Sequence, residues 1–339
     1  MGKEIRCAVL GLGRLGYLHA VNVATKIKGS RLVAVSDVVA ETASRVAQEL
    51  DVPFWSMDPD EVINREDVDA VIVVTPTTTH AEIAKKVARA KKALFLEKPI
   101  ALDINEAHET AAEIEKSGII CQLGFMRRFD PGYEYAKQRI LAGDIGKPLY
   151  FKGCTRDPRM AHESYVATCG GIFADLNIHD FDIARYLMGQ EIVEITAMGS
   201  VLYSEIAAKY NDVDQAISYL RFDSGAAGDV EGYRNAFYGY DIRAEIMGTE
   251  GTIVVSGIQN HSVTLLHPNR GSYDIIPFFM ERFEVAYLRE MEHFIASVQN
   301  NEQPSVGARD GVIALAVALA ARQSNWNRET VQVAQFLKK

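Results

Sequence analysis

Cysteine is scarce in this chain. There are four in 339 residues, at positions 7, 121, 154 and 169. None forms a CxxC pair, so neither a disulfide framework nor a structural zinc site is expected, and reduced thiols in a cytoplasmic protein fit the usage. Long apolar runs are missing too. None approaches the ~20 residues a membrane helix requires. Residues Met1–Arg6 enter a strand pattern directly, without an apolar stretch and a small-residue cleavage site, so no signal peptide is expected. Arg6 stands where a myristoylation motif beginning Met1-Gly2 needs Ser or Thr. Clusters of Lys and Arg are absent, and the formal net charge is −9. Nucleic acid and anionic membranes are therefore not expected partners. No internal repeat and no low-complexity segment appears.

What is present suits a soluble enzyme: 48% hydrophobic and 24% charged residues, in a chain long enough for two domains. From Glu4 to Phe125, short β-branched runs alternate with helical patterns. Strands are expected at Ile5–Leu10, Leu32–Ser36, Ala70–Thr75, Ala93–Glu97 and Ile119–Gly124. Helices are expected at Leu15–Lys28, Ala40–Leu50, His80–Ala90 and Ile104–Lys116. Such alternation means a parallel sheet covered on both faces. Thr79-His80-Ala81-Glu82 has the spacing of a capping box.

After Arg128 the texture changes. A connecting helix, Asp130–Ala142, leads into a strand-rich region ending near Ile276. Its strands are expected at Leu149–Thr155, Glu191–Tyr203, Asp214–Phe222, Ala226–Tyr233, Tyr240–Gly248 and Thr252–Ser256. One helix, near Ile172–Leu187, interrupts them. Short turns such as Asp223-Ser224-Gly225 indicate a largely antiparallel sheet. Two helices, Phe283–Gln299 and Asp310–Arg322, close the pattern, the second apolar around much of its circumference. The fold class is α/β: an N-terminal Rossmann domain over residues 1–125 and a C-terminal α+β domain over 126–339. The second domain is expected to bind substrate and to oligomerise, with its last helices packing back on the first.

The turn Gly11-Leu12-Gly13-Arg14-Leu15-Gly16 follows the apolar run Cys7–Leu10 and opens a helix. That context fits a dinucleotide loop, where the backbone approaches a pyrophosphate at a helix N-terminus. Gly11, Gly13, Arg14 and Leu15 are the expected contacts. Asp37 ends the next strand, about twenty residues on, where an acid would accept the adenosine ribose hydroxyls. No arginine adjoins it, so NAD is expected rather than NADP. Thr75-Pro76-Thr77-Thr78-Thr79-His80 lies at the carboxyl end of the sheet. Thr75, Thr77 and His80 are candidate cofactor contacts, although the same loop also reads as a polar helix cap. Glu97-Lys98-Pro99 ends a later strand and puts Glu97 and Lys98 where a nicotinamide ring would lie.

Removing hydride from an alcohol requires a base for the hydroxyl proton. Gly170–Asp180 contains Asp175 and His179, four apart on one helical face. His179 would be the base, with Asp175 as its partner or as a ligand for a neighbouring hydroxyl. On spacing alone, a surface ion pair is the better reading. A metal reading of Asp175, His179, Asp180 and Asp182 is disfavoured, because no HExxH is present and these acids point around the helix.

The segments GLGRLG, TPTTTH, EKP, GFMRRFD and GGIFADLNIHDFDIARYLMG, taken in order, resemble the glucose–fructose oxidoreductase and inositol dehydrogenase family over nearly the whole chain. Met126–Asp130, Tyr238–Gly251 and Phe278–Tyr287 are most similar to its inositol dehydrogenases. The resemblance implies a C-terminal domain with an open-faced sheet, homotetramers, and Lys98, Asp175 and His179 as the catalytic set. It further implies a cyclitol substrate, oxidised at a ring hydroxyl of myo- or scyllo-inositol with NAD. Substrate contacts are expected from Lys98, Arg127, Asp157, Asp175, His179 and Tyr238, with Met126, Tyr240 and Tyr287 as weaker candidates. Arg127 and Arg128 read equally as surface ion-pair residues. Some family members carry an asparagine before the proline of Thr155-Arg156-Asp157-Pro158. Asp157 departs from that pattern and leaves the epimer open. Another sugar or polyol, a non-catalytic NAD sensor and an NAD-retaining glycosidase are the rival readings.

Overall fold

Six strands of the amino-terminal region form one all-parallel sheet in a computed structural model that describes residues 3–338. Met1 and Gly2, with the lipidation reading that falls on them, lie outside the described residues. The chain divides into two units. The first comprises Met1–Met126 and Ala286–Leu315, the second Arg127–Val285 and Ala316–Lys339.

In the first unit the order is β1 (Ile5–Leu10), α1 (Arg14–Val21), β2 (Ser30–Ser36), α2 (Ala40–Glu49), β3 (Phe54–Ser56), α3 (Pro59–Ile63), β4 (Ala70–Val73), α4 (His80–Arg89), β5 (Ala93–Glu97), α5 (Ile104–Ser117) and β6 (Cys121–Gly124). The sheet runs β3-β2-β1-β4-β5-β6. The strand order reverses between β1 and β4, and ligands of such sheets bind at the carboxyl ends beside that switch. Every residue of β4 and β5 is buried, as strands covered on both faces require. Val9, Ile72 and Phe95 from the strands share one core with Val46 of α2 and with Met291, Phe294 and Ile295.

The second unit continues with α6 (Pro131–Leu141), β7 (Pro148–Arg156), α7 (Glu163–Val166), a π-helical turn (Phe173–Asn177), α8 (Ile178–Met188), β8 (Ile192–Ser200), α9 (Glu205–Lys209), β9 (Gln215–Phe222), β10 (Ala227–Tyr233), β11 (Asp241–Gly248), β12 (Thr252–Val255) and the hairpin β13 (Leu265–His267) and β14 (Arg270–Ser272). Then come α10 (Phe279–Asn300), kinked at Phe283, and α11 (Ala308–Asn327), followed by β15 (Val331–Gln332) and α12 (Ala334–Leu337). The large sheet runs β12-β11-β7-β10-β9-β8-β15. It is mixed: β7 and β10 pair in parallel, and the other neighbours are antiparallel. Burial alternates along β9, with Ala216, Ser218, Leu220 and Phe222 inward and Ile217 and Tyr219 exposed. As the pattern of α11 implied, its run Ala314–Ala321 is buried throughout.

Several local expectations are corrected. The helix expected at Leu15–Lys28 is α1 followed by a π-helical turn at Asn22–Lys26. The helix expected at Ile172–Leu187 likewise begins with a π-helical turn. Thr79 does not cap α4 through its side chain; its Oγ1 lies 2.8 Å from both Thr75 Oγ1 and Pro76 O.

Candidate active site

The glycine turn of the first unit is fixed by backbone crowding. Gly11 has φ +84°, and a Cβ there would come within 2.6 Å of Val74 O. A Cβ on Gly16 would sit 1.8 Å from Gly11 O. Gly13 differs, because nothing lies within 4 Å of the Cβ it lacks. It is the N-cap of α1 and has no side chain with which to cap the first helical N–H groups. That open, donor-rich backbone fits a pyrophosphate. Arg14 is exposed and Leu15 half-buried beside it.

Asp37 follows β2. Its Oδ2 accepts the Leu12 N–H at 2.8 Å and its Oδ1 the Val39 N–H at 2.9 Å. The carboxylate therefore ties the glycine turn to the next crossover while keeping lone pairs for a ribose. Thr75 and Thr77 are half-buried on the loop after β4.

Two expected cofactor contacts, His80 and Glu97, are buried and pair with groups of the protein itself. His80 is buried, and its ring nitrogens lie 2.8 Å from Pro99 O and Thr75 O. Burial holds the imidazole below its ordinary range despite these carbonyls. The ring braces the Thr75 loop against the segment after Lys98. Glu97 is buried too. Its Oε1 lies 3.3 Å from His19 Nε2, and its Oε2 accepts the Lys98 N–H at 3.2 Å. Gly124 leaves room for this carboxylate, since a Cβ there would come within 2.8 Å of it. Lys98 itself is half-buried, and the Lys98–Pro99 peptide is cis.

In the second unit, Asp175 sits in the π-helical turn and His179 just beyond it on α8. Such turns recur at functional sites because the extra residue per turn redirects side chains. Asp175 is no surface residue. Tyr165 Oη donates to its Oδ1 at 2.7 Å, and Arg234 Nη2 to its Oδ2 at 2.9 Å. Arg234 is fully buried at the end of β10. Burial, then the nearby carboxylate, pushes the Tyr165 phenol well up, so it stays a donor. Gly232 leaves space for Asn177 to press against β10, since a Cβ there would come within 2.6 Å of that amide.

Arg127, an expected substrate contact, is buried, and its Nη1 donates to Asp180 Oδ1 at 2.6 Å. Its Nη2 donates to Thr155 Oγ1 at 2.9 Å, and Thr155 in turn donates to Asp180 at 2.7 Å. The cluster locks α8, one residue past His179, onto β7. Arg128 grips Asp182 the same way, at 2.9 and 2.5 Å. Asp180 and Asp182 are thus ion-pair partners of Arg127 and Arg128. Asp157 is half-buried and joins strand ends through its backbone, N–H to Tyr233 O and C=O from Ala236 N–H, both 2.8 Å. Tyr238 is exposed; its hydroxyl donates to Asp241 Oδ2 at 2.7 Å and accepts from Arg156 at 2.9 Å. Tyr240 is buried against Phe278 and Phe283. Met126 and Tyr287 are also buried.

Arg234, Tyr165, Thr155 and Asp180 were not singled out from sequence as supports of the turn that bears Asp175 and His179. One signal was available: Arg127, Arg128, Asp180 and Asp182 are charges embedded among apolar residues, and such charges are buried as pairs.

A Rossmann sheet, an unobstructed glycine turn with Asp37 beneath it, and an Asp–His turn in a second domain define a nucleotide-dependent oxidoreductase. Residues 5–125 match the family model described as oxidoreductase family, NAD-binding Rossmann fold, and residues 137–333 the one described as oxidoreductase family, C-terminal alpha/beta domain. The chain belongs to this family, that of glucose–fructose oxidoreductase and the inositol dehydrogenases. It is 48% identical to the scyllo-inositol 2-dehydrogenase (NAD(+)) of Bacillus subtilis, covering 98% of this chain and 97% of that one. It is 39% identical to the myo-inositol 2-dehydrogenase of Thermotoga maritima, covering 98% and 100%. The crystal structure of scyllo-inositol dehydrogenase from Lactobacillus casei, with bound NAD(H) and scyllo-inositol, superposes with a TM-score of 0.93 at 34% identity, covering 98% of this chain and all of that one.

Proposed function

We propose that this protein is an NAD-dependent dehydrogenase that oxidises a ring hydroxyl of myo- or scyllo-inositol to the inosose, as a step of inositol catabolism. One observation carries the reading beyond family membership. The chain keeps a dinucleotide cradle and also an Asp175–His179 turn braced by Arg234 and Tyr165, a prepared proton acceptor that a nucleotide sensor does not need. NAD, when bound, supplies the hydride acceptor. Gly11, Gly13, Arg14 and Leu15 hold its pyrophosphate, Asp37 its adenosine ribose, and Thr75 and Thr77 the second ribose. His179 takes the hydroxyl proton, and Asp175 orients the imidazole or holds a neighbouring hydroxyl. Lys98 stabilises the developing alkoxide. Asp157 lies at a strand end with its backbone pinned, and is the polar residue we assign to epimer choice.

The second unit binds the cyclitol and assembles the enzyme. The outward face of its sheet carries Met198, Ile217, Tyr219, Met247 and Val254, all exposed. Covering this open face favours a homotetramer. Among the described residues no helix is long and apolar enough to cross a membrane. The four cysteines are free and buried, and burial pushes each thiol up. These features support a cytoplasmic setting.

The test is NADH formation with purified protein, NAD and, separately, myo-inositol, scyllo-inositol, D-chiro-inositol and glucose. Turnover on myo- or scyllo-inositol is expected. Intact NAD binding without turnover on either would overturn the reading.

A further inference from the structure

Three ionisable side chains meet in the core of the first unit. His19 comes from α1, Glu97 from the end of β5 and Glu290 from α10. All are buried, and one ligand atom from each lies within 4.8 Å of the other two. Glu290 is fully buried, and neither carboxyl oxygen has a hydrogen-bond partner among the described residues. Ionised, it would be a bare charge in a dry core, facing a second carboxylate. Proteins avoid that state by neutralising one of the pair.

His19 finds no second acceptor among the described residues. Its Nε2 lies 3.3 Å from Glu97 Oε1, while Nδ1 has no partner. The ring packs edge-on against Phe95 and Tyr287. An imidazolium carries two N–H donors, and here one would be buried and unsatisfied. A neutral ring that donates through Nε2 leaves only a bare acceptor. Gln122 does not help, because its Nε2 donates to the Glu290 main-chain oxygen at 2.7 Å and its Oε1 pairs with His293 Nδ1 at 2.8 Å.

We propose that Glu290 is a neutral carboxylic acid in the folded protein at physiological pH, keeps its proton, and uses it to donate a hydrogen bond to Glu97. The resulting acid–carboxylate pair holds Glu97 where it receives the Lys98 N–H, which makes Glu290 and His19 positioning residues for the segment that carries Lys98. Burial, and then the charge of Glu97, push the Glu290 carboxyl well above its ordinary range. The titratable groups facing it are Glu97 from β5 and His19 from α1. On its own helix, Tyr287 contacts His19 and His293 turns to Gln122. The pair can be tested without substrate; only its service to Lys98 rests on the dehydrogenase reading.

Glu290→Gln keeps the shape and a neutral donor. Urea unfolding of the full-length wild-type protein and E290Q, from pH 5 to 9, reads the proton directly. A carboxyl raised on folding contributes stability that is whole below the unfolded carboxyl range. That contribution is lost as pH rises towards the folded value, by up to ~tenfold in the folding equilibrium constant per pH unit. The wild type should therefore lose stability relative to E290Q as pH rises. The infrared spectrum of the wild type at pH 7 should contain a protonated-carboxyl band that E290Q lacks. Parallel stability profiles without such a band would mean that Glu290 is ionised, and the proposal would fail. One bound divalent metal per chain, with a chelator destabilising the wild type and not E290Q, would put a cation in place of the proton and overturn it equally. Should E290Q not fold, the band in wild-type protein carrying isotope-labelled glutamate decides alone.

Discussion

At the glycine turn of the first unit, geometry comes from the backbone: a helix start, two crowded glycines and one carboxylate tied to two N–H groups. At the turn that bears Asp175 and His179, geometry comes from buried ions. Arg234 holds Asp175, Arg127 and Thr155 hold Asp180, and Arg128 holds Asp182. The difference has a physical reason. A pyrophosphate is a large anion that many aligned dipoles can share. A single proton transfer depends on the placement of one imidazole, and the turn beside it is fixed by ion pairs to Arg127 and Arg128 from the segment before α6 and to Arg234 just after β10. The first site should tolerate loss of a charge better than loss of space, and the second the reverse.

The largest effects are expected where chemistry and support coincide. Lys98→Ala and His179→Ala should each lower kcat by about 10³-fold, within the span for a lost acid–base group, while NAD titrated by fluorescence still binds. Near-wild-type kcat in either variant would remove that residue from the catalytic set. Arg234→Met should come next. It strands Asp175 in a buried site, and removing one partner of a buried pair costs ~3–5 kcal/mol. Urea unfolding checks the loss. Arg234→Lys restores charge without the planar fork and should recover only part of it. An unfolding midpoint for Arg234→Met equal to that of the wild type would show that ion pairing does not hold this turn, and the contrast with the glycine turn would collapse.

The same contrast explains what could be read in the sequence. The parallel sheet, the glycine turn and Asp37 were legible because their signals are local: an apolar run, a fixed glycine spacing, an acid at a strand end. β3 was too short to register, with three residues. β15 has two, and it pairs with β8 more than a hundred residues away. The π-helical turn was illegible because the same residues satisfy an α-helical pattern. Asp175 and His179 were assigned a role only by resemblance, since their spacing alone suits a surface pair. Their supports come from positions tens of residues distant, Arg234 59 residues beyond Asp175 and Arg127 53 before Asp180. The burial of His80 and Glu97 was not legible, because sequence pattern does not say which side of a loop a polar ring or carboxylate faces.

Two glycines separate space from chemistry within the first unit. Gly16→Ala drives a methyl into Gly11 O and should destabilise by ~1–3 kcal/mol, the usual cost of overpacking. Gly13→Ala meets nothing among the described residues. Its unfolding midpoint should stay near wild type while KM for NAD rises, because the methyl enters the space assigned to the pyrophosphate. If Gly13→Ala leaves KM unchanged, the pyrophosphate lies elsewhere.

The smallest effect is expected at Asp37, where the two kinds of support meet in one side chain. Wild-type protein should prefer NAD, since the carboxylate accepts ribose hydroxyls and repels a 2′-phosphate. A kcat/KM for NADP equal to that for NAD would remove this role from Asp37. Asp37→Asn keeps an acceptor for one of the Leu12 and Val39 amides and removes the charge. The ratio of kcat/KM for NADP over NAD should then rise by about tenfold, equivalent to ~1.4 kcal/mol. The rise should come mostly from NADP, because the backbone cradle that binds the pyrophosphate remains. A fall in both cofactors with an unchanged ratio would mean that Asp37 serves only to tie the glycine turn to Val39, and that charge contributes nothing to selectivity at a site built from backbone.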